Sequence, residues 1–504
     1  MATSADFYFS CFYTHVNFFA SYLFKKISGA RVSTSSLSYP SAANSNAVSS
    51  ETNFSMALTF PLQTWYEWGY LHNPIIASDK DISRVKHSYA LLQDQIGDTN
   101  NPIYGLHTSY GENERNRLDP DQWKNTQVNL LEYLQVGIGA PLPKSVVRRA
   151  LKLQARKTAH GLSGIHPSTY QALLKLANSE TLPRVPRKGS LGASGDLISM
   201  AHAISPLFEH GPKGPRDVIG LVNTNAMMAS WAIEHDYQLR KLLRDCFKSV
   251  ALMSLAIGAG DEHFSEGLHY GEVHTSYARA GNLLTQLRHD YLQSPNIVEG
   301  EKSLLQARYS VRCAPQILGH CLDLLDYSEA KIRSEALAVA DNPLILESGP
   351  WHGGLFYAIG LAASAEFMQE IIHRLAEMLD RQILILMDHR LNGGLPDNLS
   401  VESFNHCKGI HQLTSALFQE IKARSTPVRQ MSFSCEGNNQ DLVPCGMAAL
   451  NNVNDQLDTL REIVRAATFC SARAAMMRST GGLPEALKLA NWSQFTTAQV
   501  ESIL

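Results

Sequence analysis

Between Gly189 and Leu197 the chain reads Gly-Ser-Leu-Gly-Ala-Ser-Gly-Asp-Leu, with three glycines and two serines in nine residues. Small residues at this density belong where the backbone turns tightly, and Gly195 has no Cβ to resist a close approach. Read alone, the string is a Gly/Ser loop capping a helix that starts near Asp196. A serine-hydrolase elbow would need Gly at position 196, where Asp196 stands. Other familiar chemistries lack their residues. There is no phosphate loop, no Gly-x-Gly-x-x-Gly after a strand and no His-Glu-x-x-His, and the 19 histidines are dispersed. Neither a nucleotide nor a metal is expected.

The string Ala193-Ser194-Gly195-Asp196-Leu197 resembles the motif of the aromatic amino-acid ammonia-lyase and aminomutase family, which includes the histidine, phenylalanine and tyrosine ammonia-lyases. Further motifs of that family follow in order over roughly residues 60 to 480. Tyr104-Gly105-Leu106-His107-Thr108-Ser109-Tyr110-Gly111 is similar to its Tyr-Gly-x-x-Thr-Gly-Phe-Gly loop, with Ser109 for Gly. Leu221-Val222-Asn223 resembles Leu-x-Asn-Gly-Thr, with Thr224-Asn225 in place of Gly-Thr. Gln306 to Gln316 is close to Gln-Asp-x-Tyr-Ser-x-Arg-Cys-x-Pro-Gln. Asp341-Asn342-Pro343, Trp351-His352-Gly353 (Trp for Phe) and Asn439-Gln440-Asp441 complete the series.

The resemblance implies that Ala193, Ser194 and Gly195 cyclise into 4-methylidene-imidazol-5-one (MIO), as the Gly195 nitrogen attacks the Ala193 carbonyl and two waters leave. No natural side chain is a good electrophile, so the backbone itself must be modified. Tyr104 then matches the base that removes a weakly acidic β-proton. A free tyrosine has a pKa of about 10, so the site is expected to favour the phenolate, helped by helix N-termini pointing at it. Arg312 is expected to clamp the substrate carboxylate. Asn223 and Gln316 are expected to hydrogen-bond the imidazolone oxygens or the path to them. Tyr309 is placed near the leaving amine, and Gln306, Gln440 and Trp351 join the substrate-binding set.

Substrate choice rests on Tyr133-Leu134, which resembles the aromatic-Leu pair of phenylalanine-type members. Histidine and tyrosine lyases tend to carry His at the place of Leu134. An apolar Leu134 cannot satisfy a buried hydroxyl, which favours a phenyl ring. The expected reaction is L-phenylalanine to trans-cinnamate and ammonia. An aminomutase, a tyrosine or histidine ammonia-lyase, and a catalytically inactive helical scaffold are the alternatives. Family resemblance further implies a homotetramer with sites shared between subunits, Tyr104 coming from a different chain than Ser194.

These residues need a helical framework. No Pro or Gly falls between Asn225 and Ile257, and Leu239, Leu242, Leu243, Cys246, Phe247, Val250 and Ala251 form the stripe of a buried helix face. Similar patterns run over Ser364–Arg390, Val401–Arg424 and Met447–Met477, while Gly360 and Gly393-Gly394 read as breaks. A mainly α fold of the ammonia-lyase type is expected, with a long central helix bundle. Its parts are a catalytic domain over 56–224, which carries the triad, and a bundle domain over 225–504. The chain has 504 residues, 44 Lys+Arg and 47 Asp+Glu, so 44 − 47 = −3, which excludes a strongly basic nucleic-acid binder. Eight scattered cysteines without a Cys-x-x-Cys pair suit a reduced, cytoplasmic setting. Residues 1–55 hold only two acids, Asp6 and Glu51, and an aromatic run followed by a Ser-rich stretch. That composition reads as a disordered or targeting-like extension, or as an upstream start with Met56 the real one. No other stretch reads as a membrane span.

Overall fold

Ser78 opens the first long helix with a reciprocal cap: its Oγ accepts from the Asp81 N–H (3.2 Å) and the Asp81 carboxylate accepts from the Ser78 N–H (3.0 Å). The computed structural model describes residues 61–504 apart from 269–274, 303, 402–405, 480, 481 and 504, with backbone alone at 431 and 501. The readings made of residues 1–55 and Met56 lie outside the described residues. In chain order the longer helices are α1 (Asp79–Gln95), α2 (Trp123–Leu134), α3 (Lys144–Thr158), α4 (Pro167–Ala177) and α5 (Leu197–Ile204). They continue with α6 (Ala226–Ala256), α7 (Thr275–Leu292), α8 (Ala314–Leu337), α9 (Ile359–Leu386), α10 (Lys408–Ala423) and α11 (Gly446–Met476).

The uninterrupted segment after Asn225 is one helix of 31 residues, and α11 has the same length. At about 1.5 Å per residue each spans roughly 46 Å. α6 packs along α11, α11 along α9, α9 along α8, and α8 along α7, which builds the long bundle. α3 lies against α6, and one hydrophobic core runs through residues on both sides of position 224. The described residues cluster as one unit. Strand is confined, among the described residues, to two short antiparallel pairs. One joins β1 (Ile138–Pro141) to β2 (Pro186–Lys188), and the other joins β3 (Leu344–Leu346) to β4 (Gly349–Trp351).

Two sequence expectations change. Gly360 is not a break: it sits in the first turn of α9, and the turn into that helix is made by Ala358 at φ +49°. α9 together with the turn before it is also long and apolar enough to cross a membrane, contrary to the expectation that no such stretch existed, and 56% of its most apolar window is buried inside the fold. Its neighbours α8 and α11 supply the apolar surroundings that a bilayer would otherwise provide. The seven cysteines among the described residues are all free.

Candidate active site

The Gly189–Leu197 segment meets the N-termini of three helices. It runs directly into α5. The first turn of α6 donates the Met228 N–H to Asp196 Oδ2 (2.8 Å). At the start of α11, the Gly446 nitrogen lies 3.4 Å from where a Cβ on Gly192 would sit. Gly195 has φ +72°, and a Cβ there would stand 2.1 Å from the Thr224 carbonyl oxygen, so only glycine fits. That same oxygen accepts from the Asp196 N–H at 2.6 Å. The side chain of Asn223 donates to the Ser194 carbonyl (3.0 Å), and Gln440 Nε2 donates to Ser194 Oγ (3.1 Å). Asp196 is fully buried, and burial pushes its carboxyl up to about 7.

Tyr104 is held at three points. Its N–H donates to His352 Nε2 (3.2 Å), its carbonyl accepts from Arg216 Nη1 (3.2 Å), and its hydroxyl accepts from the Gly111 N–H (2.7 Å). Arg216 is itself fixed by a buried ion pair with Asp341 (3.2 Å), which accounts for the aspartate of the Asp341-Asn342-Pro343 element. Thr108 Oγ1 accepts from the Gly105 N–H (3.2 Å), closing the loop around Tyr104. Gly111 (φ +58°) permits close approach to Glu436, whose Oε1 lies 2.0 Å from where a Cβ would be.

Tyr104, Ser194 and Asn223 line one cavity of about 340 Å³, together with Leu130, Tyr133, Ile219, Asn342, His352 and Phe356 among others. Tyr104 and Ser194 therefore meet within one chain, which corrects the expectation that they come from different subunits. The expected bias toward phenolate is absent in this chain. Burial raises the Tyr104 pKa, and Glu436 and Glu114 add to the rise, against opposing effects of the Gly111 N–H and Arg216.

Other expected residues lie elsewhere. Leu134 is buried and is not among the cavity residues; Leu130 and Tyr133 of the same helix are. Leu134 lies one turn past Leu130 and only about 40° from it around the axis, so its place further along the helix, and not its face, keeps it from the cavity lining. Trp351 is 61% exposed at the end of β4, while its neighbour His352 reaches the cavity. Gln306 is exposed. Arg312 lies with its guanidinium 4.7 Å from the Tyr309 ring centroid, and Tyr309 is 71% exposed. Tyr309 and Gln316 border a separate cavity of about 540 Å³ between α8 and α9. None of Gln306, Tyr309, Arg312 and Gln316 lines the cavity holding Ser194, so Gln316 makes no contact with the triad in this chain.

Glu436 is the residue sequence reasoning passed over. It lines the cavity, and its Oε2 accepts from Gln440 Nε2 at 2.7 Å. Burial raises its pKa. Its only signal was a carboxylate four residues before Gln440 in a Gly/Asn-rich turn. A surface trio of Asp388, His389 and Asp397 is the described grouping closest to a metal-ligand set. Its carboxylates already bind Arg390 and His389, and none of the three lines the cavity.

Residues 65–498 match the family described as aromatic amino acid lyase. A histidine ammonia-lyase from Treponema denticola is 26% identical over 423 residues, 78% of this chain and 82% of the relative. A tyrosine ammonia-lyase from Cereibacter sphaeroides is 29% identical over 422 residues, 76% of this chain and 80% of the relative. Among solved structures, the phenylalanine aminomutase of Pantoea agglomerans is similar with a TM-score of 0.75 at 21% identity, covering 86% of this chain and 92% of that one. That likeness concerns the fold: a mainly helical ammonia-lyase/aminomutase architecture.

Proposed function

Because this chain belongs to the aromatic amino acid lyase family, we propose that it eliminates ammonia from an aromatic L-amino acid, L-phenylalanine by preference, using an MIO group made from Ala193, Ser194 and Gly195. The observation that carries this reading is that Ser194, Tyr104 and Asn223 line one cavity, with Gln440 hydrogen-bonded to Ser194 Oγ. The triad suits the group: Gly195 occupies a cradle that any Cβ would fill, and Asn223 and Gln440 already hold both oxygens of Ser194. Once formed, the group supplies an electrophilic methylidene carbon that converts the substrate amine into a better leaving group. Tyr104, with its hydroxyl oriented by the Gly111 N–H, removes the β-proton. Asn223 fixes the carbonyl side of the triad and Gln440 its side-chain side. Leu130, Leu197, Ile219 and Phe356 supply apolar contact for a phenyl ring.

The substrate carboxylate needs a cation, and among the described residues lining the cavity there is no Lys or Arg, while Glu114 and Glu436 are present. Arg312 sits on another face beside an exposed Tyr309. That missing cation supports sites shared between the subunits of a homotetramer, in which Arg312, Tyr309 and Gln316 would come from a second copy of the chain. Subunit mixing tests this. Ser194→Ala and Arg312→Ala, each inactive alone, are expected to recover activity after verified exchange, because one kind of mixed site has both residues intact. Ser194→Ala with Tyr104→Phe is expected to recover none, since both lesions fall in the same cavity. Recovery by the second pair and none by the first would overturn the arrangement.

The reading as a whole is tested by incubating the protein separately with phenylalanine, tyrosine and histidine, followed by chromatography for the acrylate and the β-amino acid. The expected result is cinnamate from phenylalanine, with a kcat/KM about 10- to 100-fold above that for tyrosine, whose hydroxyl would be buried among apolar side chains. A larger yield from tyrosine or histidine would reassign the substrate. Accumulation of β-amino acid would make the protein an aminomutase, and no product from any substrate would favour a helical scaffold without activity.

A further inference from the structure

Lys157 stands in the last turn of α3, where a lysine ordinarily reaches solvent, yet it is 3% exposed. An ammonium removed from water is costly unless every proton finds an acceptor. Lys157 has three: the Glu335 carbonyl (2.8 Å), the Ala338 carbonyl (2.7 Å) and Asn225 Oδ1. The two carbonyls terminate α8, where they lack helical partners and the helix dipole favours a positive charge. Asn225 is tied a second time, through its Nδ2 to Glu335 Oε2 (2.8 Å), and Glu335 Oε1 accepts from the Gly360 N–H (3.3 Å) at the start of α9. With its three protons used, this lysine has no donor left for a ligand. Its contacts lead instead into the turn that precedes α6.

That turn is Asn223-Thr224-Asn225. Asn223 grips the Ser194 carbonyl, and the Thr224 carbonyl accepts from the Asp196 N–H while standing against Gly195. Two consecutive residues thus hold the triad, and the third is bolted to the ends of α8 and α9 through Lys157 and Glu335. Thr224-Asn225 is also where the sequence departs from the Gly-Thr of the resembling motif. The departure has a structural counterpart, since Asn225 is the side chain Lys157 binds. We infer that Lys157 is a positioning residue for closure of the Ala193-Ser194-Gly195 ring, acting through Asn225 to hold the 223–225 turn against the triad.

This role rests on the reading that the triad cyclises. The closure needs no outside reactant. A bond forms between the Gly195 nitrogen and the Ala193 carbonyl carbon, and the Gly195 proton passes to the Ala193 oxygen. That oxygen leaves as water with the Ser194 N–H proton, so a C=N bond remains. Ser194 then loses its Oγ, together with its Cα hydrogen, as a second water, which leaves the methylidene carbon. All of this depends on nitrogen and carbonyl being held within reach, where a misplacement of about 1 Å can cost on the order of 100-fold in rate.

The test compares the full chain as wild type, Lys157→Met and Asn225→Ala by intact mass over time after synthesis, with circular dichroism to follow folding. Methionine fills the stem's volume while removing the three donors, and Asn225→Ala cuts the link but leaves the lysine in place. Wild type is expected about 36 Da below its calculated mass, two waters having left. Both variants are expected to be folded and to lose that mass about 10- to 100-fold more slowly. Wild-type maturation rates in both variants would overturn the role of Lys157, even if their melting temperatures fall. A wild type at full mass would overturn the cyclisation reading itself, and the role with it. Should Lys157→Met fail to fold, Asn225→Ala decides.

Discussion

Ser194→Ala is expected to leave a folded protein with essentially no lyase activity. The side chain is half-buried, and its Oγ receives one hydrogen bond, from Gln440 Nε2. That nitrogen also donates to Glu436 Oε2 at 2.7 Å, so loss of the serine oxygen leaves no orphaned donor. The change in stability should stay within about 1 kcal/mol, and the melting temperature within about 2 °C. Activity has no such reserve. Without Oγ the second water cannot leave, so the methylidene carbon cannot form, and the substrate amine remains a poor leaving group. A loss on the order of 10⁴-fold or more in kcat is expected, the scale seen when a covalent catalyst is removed. Intact mass adds an independent check: the variant can lose at most one water, about 18 Da, where the wild type loses two. Turnover near wild type at unchanged melting temperature would remove Ser194 from the chemistry.

Tyr104→Phe is expected to lower kcat by about 10²- to 10⁴-fold, the usual contribution of a positioned base. KM should change little, because the phenolate acts in the chemical step. The pH profile makes the prediction specific. Burial, with Glu436 and Glu114 nearby, raises the Tyr104 pKa above its usual 10. The active form is the deprotonated one, and below a raised pKa its fraction grows about tenfold per pH unit. Wild-type kcat/KM should therefore climb from neutral into alkaline pH, and Tyr104→Phe should lose that climb along with the rate. The variant also strands the Gly111 N–H, at a cost of about 1–3 kcal/mol if no water replaces the phenol. Melting curves separate that loss from the kinetic one. A variant that keeps the alkaline limb would pass the base role to another group, Tyr309 before others.

Much of the molecule was legible from residues alone because its determinants are local. Helix α6 follows from 31 residues without a breaker and with an apolar stripe. The Gly195 turn follows from a position that excludes a Cβ. The ordered motifs pointed to Tyr104, Ser194 and Asn223, which do share a cavity. Other features depended on which surfaces meet. Leu134 and Tyr133 are adjacent in sequence, yet only Tyr133 lines the cavity while Leu134 is buried away from it, a placement that motif matching cannot read. The Tyr104 pKa turned on burial, opposed by the Gly111 N–H of its own loop, and on Glu436 from a distant segment. Gln440 reaches Ser194 across 246 positions, and Lys157 reaches Glu335 across 178. Contacts of that kind arise when helices pack, because side chains far apart in the chain become neighbours only once the apolar faces that carry them are buried together. Sequence by itself therefore determined the helices and the family to which the triad's motif belongs. Tertiary structure decided which groups surround the triad, which faces were left without a partner in one chain, and which buried charge holds the turn beside Gly195.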